Sequence, residues 1–189
     1  MLSIKLLGPP EVSVEERPLL FGTKKSLALL CYLAAEGGRH YRRELAELLW
    51  PQSDERHART DLRSALAKLR KTLGENSARG GTREEGIGFL IVDGALLGIE
   101  PRGIELDLEV LQADVSLART ETSPRGMSTA GHLVLIGRLQ GDLGIYRGEF
   151  MEGFLARRRH GVRAVARGRA REVAQGFRGA VLEALAASG

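Results

Sequence analysis

Between Tyr41 and Gly74 the chain reads YRRELAELLWPQSDERHARTDLRSALAKLRKTLG. Proline cannot continue a helix, and it restricts the residue before it. Trp50-Pro51 must therefore end the amphipathic stretch that starts at Arg42, in which Leu45, Leu48 and Leu49 point inward. A longer stretch follows from Asp54 or Glu55 to Leu73, and Gly74 is suited to close it. Two helices joined by so short a turn restrict the chain to helix-turn-helix geometry.

The longer helix divides cleanly into two faces. At helical spacing Leu62, Leu66, Leu69 and Leu73 form one apolar stripe. The opposite side presents Thr60, Arg63, Ser64, Ala67, Lys68 and Lys71. Small residues among basic ones let a helix approach a groove floor closely. Arginine can donate two hydrogen bonds to a guanine edge, and serine or threonine can bond bases or phosphates. Residues near the start of such a helix penetrate deepest. Arg59, Thr60, Arg63 and Ser64 are therefore the expected base readers. Lys68, Lys71 and Arg56 are the expected backbone contacts, joined by Arg42 and Arg43 at the start of the shorter helix and by Lys24. A solvated charged face on an ordinary amphipathic helix is the competing reading.

The rest of the chain supplies a frame for this pair. Ser3-Ile4-Lys5-Leu6 and Glu11-Val12-Ser13-Val14 alternate as short strands, with turns at Gly8-Pro9-Pro10 and Arg17-Pro18. A helix is expected from Lys24 to Ala35, with Leu27, Leu30, Cys31 and Ala34 on its core face and Gly37-Gly38 as its stop. Residues 74–86 read as a loop whose Arg79 and Arg83 could reach phosphates. Phe89–Val92 and Leu96–Ile99 flank Asp93-Gly94 as a hairpin, a candidate wing, and Ile104–Asp107 adds a short extended piece. Beyond Asp107 the pattern is helical: Leu108 to Leu117, about Ser128 to Gly141, near Leu143–Tyr146, and Leu155 to Ala187. In the last stretch Val162, Ala166, Val173, Phe177, Ala180 and Ala184 share a face, set apart from a stripe of Arg163, Arg167, Arg171 and Arg178. That apolar face would pack on the preceding helices or on a second copy of the chain, which makes a homodimer an option. The arginine stripe is either solvated or a dock for an acidic partner.

Charge is local rather than global. The net charge is +4, yet residues 1–107 sum to zero. Residues 155–189 carry eight arginines against Glu172 and Glu183, and Arg56 to Leu73 holds six basic residues against Asp61 alone. Local basic surface is what draws phosphate. With 43% hydrophobic and 28% charged residues the composition is that of a globular protein. There is no long uncharged apolar run to span a membrane. The start MLSIKLLGPP lacks the basic head and apolar core of a signal peptide, so the cytoplasm is the expected compartment. The single cysteine, Cys31, excludes an internal disulfide and a cysteine-cluster metal site.

Signals for other chemistry fail on spacing. Gly22-Thr23-Lys24-Lys25-Ser26 lacks the glycine placement of a phosphate loop, and Gly86-Ile87-Gly88 precedes a strand instead of following one. His40, His57, His132 and His160 have no ligand spacing, and no Ser-His-acid set stands out. No enzyme activity, metal or cofactor is expected. Trp50 is expected in the core, as are Phe150 and Phe154.

Several of these pieces together resemble the SARP-type transcriptional activators, which join an OmpR-like winged helix to a helical bacterial transcriptional activator domain. SIKLLGPPEVSV resembles the first strands of that family. TKKSLALLCYLAAEGGRHYRRELAELLWP is similar to its first two helices, and ARTDLRSALAKLRKTLG to its third. FLIVDGALLGIEPRGIELDLEVLQ resembles the wing and the passage into the next domain, and IYRGEFMEGF a turn inside that domain. The match spans residues 2–154. It implies an α+β fold, with a winged helix-turn-helix domain over 1–107 followed by an all-α, TPR-like domain over 108–189. It implies sequence-specific binding to double-stranded DNA, often at direct repeats, and activation through RNA polymerase. Three departures stand out. Tyr41 occupies the place of a Ser or Thr cap, a loss expected to weaken the second helix by roughly 0.5–2 kcal/mol. The tryptophan common after the G-x-F-x-x-G stretch is missing, and the second domain is short. The alternative reading is a winged helix that binds another protein at the front of a larger signalling molecule, which a neutral first domain would suit.

Overall fold

The computed structural model describes residues 1–74 and 88–113, together with 141, 144–145, 147–148 and 151–152. Seven strands and three helices follow in the order β1 (Leu2–Lys5), β2 (Glu11–Val14), β3 (Arg17–Pro18), α1 (Lys24–Glu36), β4 (Arg39–Tyr41), α2 (Arg42–Leu49), α3 (Glu55–Thr72), β5 (Leu90–Asp93), β6 (Leu96–Ile99) and β7 (Ile104–Leu106). A further helical segment occupies 107–113. The loop carrying Arg79 and Arg83, the helices expected near 128–141 and 143–146, Phe150, Phe154 and the segment 155–187 with its arginine stripe lie outside the described residues.

Two small sheets flank the helices. The first runs in the order β3-β2-β1-β7, with β1 and β7 parallel and the other pairs antiparallel. The second, β4-β6-β5, is antiparallel throughout. The sequence pattern marked β5 and β6 but not β4. A three-residue strand directly after a glycine pair is too short to show an alternation. Its pairing is tight all the same: a side chain on Gly98, which opposes Arg39, would meet the Gly38 carbonyl at 2.5 Å.

Each helix end has a local cause. Thr23 caps α1 by accepting from the Ser26 N–H, and Gly37 closes it at a φ of +65°. Asp54 caps α3 by accepting from the His57 N–H at 3.0 Å, and Gly74 follows its end at a φ of +75°. Tyr41 makes no side-chain cap for α2, as its residue type requires. Instead the Arg42 N–H donates to the Ala95 carbonyl at 2.8 Å. The turn of the β5–β6 hairpin thus satisfies the first free donor of α2, though not the N–H one or two residues on that a Ser or Thr cap would take.

The core lies between the helices and both sheets. Leu62, Leu66, Leu69 and Leu73 are buried, as the helical stripe requires, together with Leu29, Leu30, Leu33, Leu45 and Leu49. Cys31 is fully buried, and burial pushes its thiol pKa up, so it stays a neutral packing residue. Ser26 is the polar exception between α1 and α3, and its hydroxyl lies 3.2 Å from the Ala65 carbonyl it donates to. Trp50 packs partly buried against the core, with the Lys25 ammonium 5.5 Å from the ring centroid. Lys25 also donates to the Leu49 carbonyl, which places a cation at the negative end of α2. Leu108, Leu111 and Met151 belong to the same buried cluster as the core residues of α1, α2, α3 and both sheets.

The turn joining β2 and β3 carries a local strain. Val14 pairs with Arg17, so Glu15 and Glu16 form a two-residue loop, and both have positive φ, +48° and +65°. Such turns favour Asn-Gly, because left-handed backbone costs an ordinary residue roughly 1–2 kcal/mol. The double substitution Glu15→Asn and Glu16→Gly is expected to raise stability by about 1 kcal/mol. A thermal melt should move up by a few degrees, and an unchanged melt would argue against this turn.

Candidate nucleic-acid interface

Three elements meet around one basic surface: the start of α2, the outward face of α3, and the β5–β6 hairpin. Asp54 and the proline turn set the direction in which α3 leaves, and its leucine stripe fixes its rotation. Arg56, Arg59, Thr60, Arg63, Ser64, Lys68 and Lys71 are all exposed as a result. A cleft of about 280 Å³ opens where α3 faces α2 and the hairpin. Arg42, Arg43, Arg59 and Arg63 line it above a floor that includes Leu62, Leu66 and Leu97. Four of the expected contact residues, from two helices, thus converge on one opening. Thr60, Ser64, Lys68 and Lys71 are not part of its lining but stand elsewhere on the exposed surface of α3. Lys24 is exposed at the start of α1 and also lies outside the cleft lining.

The exposed groups are not equivalent. Arg59 donates to the Glu55 carboxylate at 2.6 Å, a pairing one helical turn apart. Arg43 donates to Glu47 at 2.9 Å and lies 3.8 Å from the same Glu55 oxygen. The Thr60 hydroxyl donates to the Arg56 carbonyl at 3.0 Å, which occupies its proton but leaves its lone pairs open. By contrast Arg56, Arg63, Lys68 and Lys71 form no ion pair among the described residues. The Arg42 Nε is buried and has no hydrogen-bond partner among the described residues. Arg56, Arg63, Lys68 and Lys71 thus carry exposed charged groups that a polyanion could pair with.

The hairpin turn differs in detail from the expected one. Asp93 pairs with Leu96 inside the ladder, so Gly94 and Ala95 are the central residues. Only Gly94 of the two has positive φ, +54°, which places glycine first in the turn. Asp93 accepts from Arg39 at 2.9 Å, tying the hairpin tip back across the sheet. Sequence reasoning missed Arg39, the Ala95 carbonyl and the role of Glu55. The spacing of Glu55 and Arg59 was a readable signal, whereas the approach of Arg43 depends on the turn between the helices. Among the described residues no cluster of His, Cys, Asp and Glu could hold a metal ion, and no helix is long and apolar enough to cross a membrane.

No model of a known family matches the chain, and no curated protein matches it. Among solved structures it is similar to Mycobacterium tuberculosis EmbR in complex with low affinity phosphopeptide, with a TM-score of 0.66 at 20% sequence identity. The alignment covers 93% of this chain and 43% of that one, so the chain spans less than half the length of the protein it resembles. The likeness is one of fold.

Proposed function

We propose that the chain is a sequence-specific DNA-binding transcriptional regulator of the SARP kind, without enzymatic activity, working in the cytoplasm. Residues 1–107 are its winged-helix DNA-binding domain. Residues 108–189 are its helical activator domain, through which it recruits RNA polymerase. The observation that carries this reading is the exposed face of α3, where Arg56, Arg63, Lys68 and Lys71 stand without acidic partners among the described residues, beside the β5–β6 hairpin. The motif resemblance and the shared fold point the same way. Double-stranded DNA fits such a face because each neutralised phosphate releases counterions, and arginine side chains can then sort base edges.

Selection of bound sequences from random duplex DNA tests the reading directly. A recovered motif, with affinity that falls steeply with salt, is the expected result. Recovery of no motif would favour the protein-interaction alternative. Arg63→Ala is expected to cost about 1–3 kcal/mol and to relax preference at one base position. Lys68→Ala should weaken all sequences alike and lower the salt slope by about 1. If Arg63→Ala leaves both affinity and motif unchanged, the register of the helix in the groove is wrong.

A further inference from the structure

Glu55 is a carboxylate placed against a surface that is otherwise suited to phosphate. It sits in the first turn of α3, half exposed, and its Oε1 serves Arg59 at 2.6 Å and lies 3.8 Å from Arg43. The two arginines come from different helices, and both line the cleft beside the wing. A carboxylate held between two guanidiniums has the charge and acceptor geometry of a backbone phosphate. We propose that Glu55 is an internal stand-in for phosphate that keeps Arg59 paired, and holds Arg43, itself bonded to Glu47 at 2.9 Å, close beside it, until a well-fitting duplex displaces it. This inference rests on the DNA-binding reading above.

The consequence is discrimination between sequences. Arg56, Lys68 and Lys71 are unpaired among the described residues and are open to any phosphate backbone. Arg43 and Arg59 are not, because loose contact with DNA gives them nothing better than Glu47 and Glu55. Exposed ion pairs are worth little, about 0–1 kcal/mol, so a duplex docked closely enough to reach both arginines can exchange them at small cost. Glu55 itself repels every duplex, and only the docked one recovers that penalty through the released arginines. A repulsive element that the correct partner alone can offset is how specificity is set against a background of near-equal competitors.

Glu55→Gln is the test, measured on the full chain with two probes: a random-sequence duplex and the duplex recovered by selection. Release of Arg59, together with the loss of Glu55's own repulsion, should tighten binding to the random duplex about 5-fold and steepen its salt slope by roughly 1. Affinity for the selected duplex should change less, so the ratio between the two falls. Glu105→Gln removes the same charge from an exposed site on β7 and should change neither value. In a chain already carrying Arg43→Gln and Arg59→Gln, adding Glu55→Gln should have a clearly smaller effect, limited to the loss of Glu55's own repulsion. Equal affinities and slopes for Glu55→Gln and the parent chain would overturn the inference while leaving DNA binding intact. So would an equal effect from Glu105→Gln, or an undiminished effect in the arginine-free background. Absence of duplex binding by every variant at low salt would overturn the DNA-binding reading and this inference together.

Discussion

Leu69→Ala is expected to lower folding stability by about 2–5 kcal/mol. The residue has no exposed surface and sits in the stripe that seats α3 on the core. Truncation removes buried methyl groups and leaves a cavity that the surrounding helices fill only in part. Against a typical total of about 5–15 kcal/mol, that loss is a large fraction. Lys68 is its immediate neighbour and is exposed, so Lys68→Ala should cost under about 0.5 kcal/mol in stability. The pair therefore separates two roles on one helix. Denaturant midpoints should shift for Leu69→Ala only, while the salt slope of DNA binding should shift for Lys68→Ala. A stable Leu69→Ala protein would mean that α3 is rotated from the position described.

Asp107→Ala should destabilise the fold by about 2–4 kcal/mol. One carboxylate oxygen accepts from both the Leu6 and Leu7 N–H groups, at 2.7 and 2.8 Å, and the residue is 7% exposed. Alanine would leave two buried donors without an acceptor. Asp107→Asn keeps one acceptor oxygen and should cost less. Burial pushes the pKa of this carboxyl up, against the pull of the Leu7, Leu6 and Leu108 N–H groups and the charge of Arg147. A raised folded pKa means that the folded state holds the proton more tightly than the unfolded chain. The stability contributed is then fully present below the ordinary carboxyl pKa and lost as pH rises through the folded value. Stability relative to Asp107→Asn should therefore decline across that window as pH rises. A pH-independent difference between the two proteins would show that the group titrates normally.

The helices were legible in the sequence because their signals are local. Proline at 51, glycine at 74 and leucines at helical spacing set the bounds of α2 and α3 to within a residue. The β5–β6 hairpin was legible for the same reason, although its turn is centred on Gly94-Ala95, one residue later than the Asp-Gly signal suggested. What escaped depends on contacts distant in sequence. β4 exists because Arg39, His40 and Tyr41 find Gly98, Leu97 and Leu96, and nothing in three residues announces that. The parallel pairing of β1 with β7 joins residues about a hundred positions apart. Asp107 was read as the end of an extended piece, but it begins a helix and holds the chain after β1 in place. At the basic surface the wheel gave the exposed residues correctly. It could not show that Glu55 divides the arginines into paired and unpaired groups.

The bond from the Arg42 N–H to the Ala95 carbonyl has a mechanical meaning. β4 runs into α2 without a linker, β4 is laddered to β6, and the Arg39–Asp93 pair fastens the far strand. On the proposed DNA-binding reading, the hairpin and the α2–α3 pair, which these bonds hold to it, are two jaws of one caliper whose gape is set by the fold. A caliper of fixed gape would not adapt to a bound duplex, so under that reading the duplex would adapt to it. Sequences whose grooves already match the gape bind at no elastic cost, and others must bend or twist, at an energy that depends on their own stiffness. Base pairs that no side chain touches would then contribute to the choice of site.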